Sequence, residues 1–160
     1  PPESTFRPAF GEVNSRANMD AICSRAFGEA IQAREIVDPA VETVVVENGG
    51  ELVAYAQLRR GRTPPCVSGP APIEIQRFYV DGRWHGKGLA QELMSHLLAR
   101  ARAGGAQTVW LGVWEHNPRA IAFYRRYRFT EVGDQPFRLG DDDQTDLVME
   151  LSLDEPSRQA

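Results

Sequence analysis

The hydrophobic positions of this 160-residue chain switch between two spacings, and the switches divide it into elements. Met19, Ile22, Cys23, Ala26 and Phe27 recur every three or four residues, which predicts a helix over residues 18–33. The run "TFRPA", residues 5–9, precedes it as a short predicted strand. Next, "VETVVVE" and "ELVAYAQLR" are two β-rich runs joined at Asn48, Gly49 and Gly50. Those joining residues tolerate positive φ, so a hairpin is expected. A Pro/Gly loop, "RGRTPPCVSGPAP", fills residues 60–72 and is expected to be the most mobile segment. The strand "IEIQRFYV", residues 73–80, follows it, with Glu74, Gln76, Phe78 and Val80 on one face.

The second half alternates in the same manner. Leu89, Ala90, Leu93, Met94, Leu97, Leu98 and Ala101 mark one face of a helix that Gly104 and Gly105 should end. "TVWLGVW", residues 108–114, is apolar on both faces, as a buried strand after a crossover helix should be. "NPRAIAFYRRY" predicts a short helix capped by Asn117, with Pro118 where a missing N–H costs nothing. Two strands, "FTEVGDQPFRL" and "TDLVMELSL", then close around the turn "GDDD". Strands alternating with helices at this length predict one α/β domain over residues 1–160.

Composition narrows the function classes. With 42% hydrophobic residues the chain can bury a core of its own. A net charge of −4 argues against general binding to nucleic acid or an anionic membrane. Its apolar runs are too short to span a bilayer, and the N-terminus lacks a cationic start followed by an apolar core, so a cytoplasmic location is expected. Pro1 in first place leads us to expect a natural start upstream. Cys23 and Cys66 have neither metal-type nor redox-type spacing, and no two histidines have ligand spacing, so free thiols and no bound metal are expected. The cations are uneven. Arg77, Arg83, Lys87, Arg119, Arg125, Arg126 and Arg128 crowd the second half, and Asp141, Asp142, Asp143 and Asp146 crowd the end. That distribution suits an anionic cofactor and a cationic acceptor, although solvated surface charge explains any one residue equally well.

The stretch "VDGRWHGKGLAQELM" places three glycines, two cations and a histidine at the mouth of a helix. A strand, a glycine turn and a helix N-terminus together offer unpaired N–H groups and the positive end of a helix dipole, which suits a phosphate. The spacing of Gly82, Gly86, Lys87 and Gly88 fits neither a P-loop nor a dinucleotide fingerprint. It does meet the pattern R-x-x-G-x-G, through Arg83, Gly86 and Gly88. This resembles the pyrophosphate-binding motif of the GCN5-related N-acetyltransferases (GNAT). "NPRAIAFYRRYRF" resembles that family's following motif, with Asn117, Ala120, Phe123, Tyr124 and Phe129 at matching positions. The ending "FRLGDDDQTDLVME" further resembles a bacterial branch that includes polyamine N-acetyltransferases.

The resemblance implies a mixed, mostly antiparallel sheet of about six to seven strands flanked by helices. It implies acetyl-CoA as cosubstrate and an amine, small-molecule or peptide, as acceptor, with attack in a ternary complex. A homodimer stays open. Cofactor contacts would come from Phe78, Tyr79, Val80, Arg83, His85, Gly86, Lys87, Gly88, Leu89, Ala90, Asn117, Ala120, Phe123 and Tyr124. Tyr124 would act as general acid, because a phenol of pKa about 10 can protonate a departing thiolate whose acid has pKa about 8.5. Glu74 falls where the histone-acetylating members place a general base; the alternative is that it orders a water or pairs with Arg77 or a loop cation. Asp141, Asp142 and Asp143 would lie on one wall of the acceptor pocket. Arg128 departs from the pattern, since many members carry glycine there. A non-catalytic acyl-CoA-binding sensor or interaction module is the alternative, and retention of Tyr124 argues against it.

Overall fold

A computed structural model describes residues 9–12, 38–139 and 142–153. The helix expected over residues 18–33 lies outside the described residues, as do residues 5–8 of the first expected strand, Cys23 and Asp141. The chain forms two compact units, one made of Pro1–Arg59 and Arg77–Leu97, the other of Arg60–Gln76 and Leu98–Ala160.

In the first unit, β1 (Ala9–Glu12), β2 (Val41–Asn48) and β3 (Glu51–Arg59) pair antiparallel in that order. Gly49 and Gly50 connect β2 to β3 with φ of 64° and 82°. Two successive left-handed residues match the twist of the flanking strands, and glycine adopts that conformation without steric cost. Both strands are buried over residues 43–46 and 53–58. Burial on both faces explains why these stretches read as continuous apolar runs rather than alternating ones. Gln57, fully buried, donates to Thr43 Oγ1 at 3.3 Å, so the polar pair within this layer is satisfied.

Strand β4 (Pro72–Val80) and helix α1 (Leu89–Ala103) each run through both units. Leu89, Leu93, Met94 and Leu97 of α1 are fully buried. Burying each such side chain contributes about 1.5–3 kcal/mol, which fixes the helix that follows the glycine turn.

In the second unit the first residues of β4 pair parallel with β5 (Thr108–Trp114), from Pro72 opposite Thr108 to Glu74 opposite Trp110. Strand β5 pairs antiparallel with β7 (Asp142–Ser152), and β7 with β6 (Thr130–Leu139). Helix α2 (Pro118–Arg126) lies between β5 and β6 in the chain. The strand order is thus β1-β2-β3-β4-β5-β7-β6, a mixed and mostly antiparallel sheet of the kind expected.

Two expectations need correction. The loop of residues 60–72, mostly exposed, is anchored at its middle: Val67 forms a small core with Trp110 and Val148, against which Cys66 and Val132 also lie. Gly69 approaches Thr108 so closely that a Cβ there would collide with its side chain, which the loop's glycine avoids. The final turn is also shorter than expected. The β6–β7 ladder extends to Leu139 opposite Asp142, so Asp142 and Asp143 are strand residues.

Candidate active site

The first unit contains the glycine turn. Asp81 follows β4 and donates its N–H to the Val53 carbonyl at 2.8 Å, which ties the turn to β3. A short 3-10 turn, Gly82–Trp84, follows, with the Asp81 carboxylate accepting from the Arg83 N–H at 2.9 Å. Gly86 and Gly88 then adopt φ of 79° and 85°. A Cβ built on either would meet nothing within 4 Å. These glycines therefore leave a bare, open backbone, where crowding by the protein itself demands nothing. Helix α1 begins beside them, and its first bond runs from the Glu92 N–H to the Gly88 carbonyl at 3.1 Å. The N–H groups just ahead of Glu92 have no acceptor within the helix, so they and the helix dipole favour an anion at this end.

The polar side chains of the turn are arranged differently from a simple cationic cradle. Arg83 donates to Asp81 Oδ2 at 3.0 Å and to Glu51 Oε2 at 3.4 Å, so its guanidinium already faces two carboxylates. Those hydrogen bonds hold the Asp81 carboxyl below the usual carboxylate range and push Arg83 upward. One ring nitrogen of His85 lies 3.0 Å from the Val80 carbonyl oxygen, so His85 braces the end of β4. Lys87 is exposed, Leu89 is buried beneath the turn and Ala90 is partly buried. Upstream, Phe78 and Val80 are partly buried, and Tyr79 is 44% exposed with its ring 6.4 Å from that of Tyr55.

The second unit contains the other candidate groups. Asn117 caps α2, its side chain accepting from the Ala120 N–H at 3.2 Å, with Pro118 in the first turn. Tyr124 is partly buried, and its ring lies 5.5 Å from Phe123 and 5.8 Å from Phe129. Burial among these rings pushes its hydroxyl up to about 12, so the phenol is protonated at neutral pH. The end of α2 is closed by two bonds, from the Arg128 N–H to the Arg125 carbonyl at 2.8 Å and from the Phe129 N–H to the Tyr124 carbonyl at 3.2 Å. This is a Schellman closure, with Arg128 at φ 75° in the position that favours glycine. The Tyr124–Phe129 ring contact is the apolar clasp that accompanies it.

Glu74 is buried, and Arg62 of the loop grips both its oxygens, Nε at 3.1 Å and Nη2 at 3.4 Å. The pairing with a loop cation is thus what the structure holds. Glu74 exposes 8% of its side chain and Arg62 58%, so the arginine is the partner able to leave. The acidic residues of the final hairpin separate: Asp143 is an exposed residue of β7, while Asp142 is described only by its backbone.

Sequence reasoning missed Glu51 as a partner of Arg83, gave the partner of Glu74 only as a loop cation, and grouped Asp146 with the acidic residues of the chain end without its burial. Glu51 as a partner of Arg83 is 32 residues away in sequence, and Arg62 as a partner of Glu74 is 12 away. Asp146 is partly buried on β7, and burial raises its carboxyl above the usual range. Alternation along β7 was the only signal for its burial. Among the described residues no three potential metal ligands cluster, and no helix is long and apolar enough to cross a membrane.

Comparison with known proteins places these features in a family. The model of the "Acetyltransferase (GNAT) family" matches residues 4–129. An uncharacterised N-acetyltransferase of Lactobacillus delbrueckii subsp. lactis is 30% identical over 149 residues, covering 93% of this chain and 86% of that protein. The spermine/spermidine N(1)-acetyltransferase of Bacillus subtilis is 31% identical over 66 residues, 41% of this chain and 43% of its own length. The structure of Arabidopsis thaliana NAA60 in complex with acetyl-CoA shares the fold with a TM-score of 0.71, at 15% identity, covering 92% of this chain and 99% of that one. From its matched motifs, its fold and these relatives, the chain belongs to the GNAT family of acetyltransferases.

Proposed function

We propose that this single transferase domain moves the acetyl group of acetyl-CoA to a primary amine by direct attack in a ternary complex. The observation that carries the reading is the pair Gly86 and Gly88, left-handed and with open space where side chains would stand, at the first turn of α1. Bare N–H groups and a helix dipole there suit the pyrophosphate of the donor. Lys87, exposed beside them, adds a charge-assisted contact. Arg83 contributes less than its motif position implies, because Asp81 and Glu51 compete for it.

In the transfer, the amine nitrogen bonds to the acetyl carbonyl carbon and the carbon–sulfur bond breaks. Main-chain N–H groups at the end of β4, near Tyr79 and Val80, polarise the carbonyl. Tyr124 donates its proton to the sulfur as negative charge develops there; its protonated state at neutral pH supports this role. Glu74 takes the proton lost by the nitrogen once Arg62 has released it. At rest both Glu74 oxygens are taken up by the Arg62 guanidinium, so the carboxylate becomes available to the amine only as the more exposed arginine leaves.

Turnover of acetyl-CoA with a panel of amines, in the native protein and in Tyr124→Phe, tests the proposal. The native protein should acetylate at least one amine. The variant should bind CoA normally and lose about 10²-fold in kcat, the range of a removed general acid. Turnover with no amine would refute the reading, and near-native turnover in the variant would return Tyr124 to a packing role.

A further inference from the structure

Glu74 and Arg62 form an exclusive pair. Among the described residues, Arg62 Nε and Nη2 are the polar groups on the Glu74 carboxylate, and Glu74 is the carboxylate on Arg62. Arg83, by contrast, is shared between Asp81 and Glu51. The neighbouring strand offers Glu74 no second cation, since its register partner on β5 is Trp110. The two partners are held very differently. Glu74 is fixed in β4 with its side chain buried, whereas Arg62 stands in the exposed arm of residues 60–63, ahead of the turn in which the Val67 N–H donates to the Pro64 carbonyl at 3.1 Å. Gly61 beside it adopts φ 99° in open space, so the arm can turn there without collision. The anchor at Val67 does not include Arg62, so the arginine can leave while the loop stays packed at its middle.

The exchange that frees Glu74 follows from charge. Stripping a cation from a buried carboxylate is costly, whereas an exposed arginine returns to water at little cost. Arg62 therefore leaves most easily when another cation takes its place in the same step. A primary amine, protonated at neutral pH, is such a cation, and its N–H groups can donate to the two oxygens that Nε and Nη2 occupy. Water brings no charge and does not displace the guanidinium.

We propose that Arg62 is a positioning residue that holds the place of the acceptor ammonium on Glu74 and yields it to that ammonium. The inference rests on the amine-acetylation reading above, in which Glu74 then removes the ammonium proton: an N–H bond breaks, an O–H bond forms, and the nitrogen keeps the electron pair for its attack. The consequence is protection of the donor, because a base gripped by Arg62 cannot activate water against the thioester.

The test is calorimetric titration of the whole chain with propylammonium at neutral pH. The native protein should bind it weakly, since each ammonium must displace a guanidinium. Arg62→Ala should bind it about tenfold or more tightly, the range for hydrogen bonds to a charged group. Added ethylguanidinium should compete with it in that variant, and Arg62→Lys, which keeps a cation on the arm, should stay near the native affinity. Equal or weaker binding in Arg62→Ala, or tighter binding that survives in Arg62→Ala/Glu74→Gln, overturns the inference. Hydrolysis of acetyl-CoA without acceptor reports separately on the catalytic reading: it should rise about tenfold or more in Arg62→Ala as water reaches the base. Tighter ammonium binding with unchanged hydrolysis would remove Glu74 from the base role and leave the exchange standing.

Discussion

The turn before α1 and the turn after α2 both use left-handed backbone, and they resolve its cost in opposite ways. Before α1, Gly86 and Gly88 adopt φ of 79° and 85° in open space. After α2, Arg128 adopts φ 75° with a full side chain. Glycine is the residue that enters this region without strain, and a side chain there costs about 1–2 kcal/mol. The second turn tolerates that cost because its N–H groups are consumed by the helix end, and the Tyr124–Phe129 contact clasps it. The first turn leaves its N–H groups unspent. A strained side chain is acceptable where the backbone's work is internal, and absent where backbone must face a ligand.

Substitutions that exchange these solutions sharpen the contrast. The largest effect belongs to Gly88→Val. A β-branched residue at φ 85° is strained, so stability should fall by about 1–2 kcal/mol. CoA affinity should fall further, by about tenfold or more, because the Cβ meets open space in the protein and can obstruct only what binds there. Equilibrium unfolding and CoA titration of one preparation separate the two losses; an undiminished affinity would show that the glycines serve only the fold.

The smaller effect is the reverse exchange, Arg128→Gly. It removes the left-handed penalty, and although it frees the unfolded chain somewhat, a net gain of about 1 kcal/mol is expected, raising Tm by about 2–4 °C. CoA affinity should not change. A lower Tm would mean that the Arg128 side chain contributes more than its backbone strain costs.

How legible each turn was in the sequence follows from the range of the forces involved. Local rules were enough for the glycine turn, for the Asn117 cap of α2 and for the Gly49–Gly50 hairpin, because each depends on residues within a few positions. Arg128 was also readable as an exception, since the closure geometry dictates a left-handed residue whatever its identity. The charge pairings were readable only in part: a loop cation was one expectation for Glu74, but neither Arg62 nor Glu51 could be singled out. Arg83 finds Glu51 at the start of β3 and Glu74 finds Arg62 from the neighbouring loop, contacts that only the tertiary fold creates. The burial of Asp146 was hidden in the same way: a partly buried carboxylate and an exposed one look identical in a run of aspartates, and only the fold separates Asp146 from the exposed Asp143.

The central claim is that the backbone of the Gly86–Gly88 turn holds the phosphates of the donor. It is tested most directly by titrating the native protein with CoA and with pantetheine, which shares the thiol arm but lacks the phosphates and nucleotide, at two salt concentrations. CoA should bind at least about 100-fold more tightly than pantetheine, as expected for several charge-assisted hydrogen bonds to a phosphate group, and Gly88→Ala should narrow the gap mainly by weakening CoA. Added salt should weaken CoA and leave pantetheine unaffected. Equal affinity for the two ligands, or a gap that Gly88→Ala leaves intact, would contradict the account.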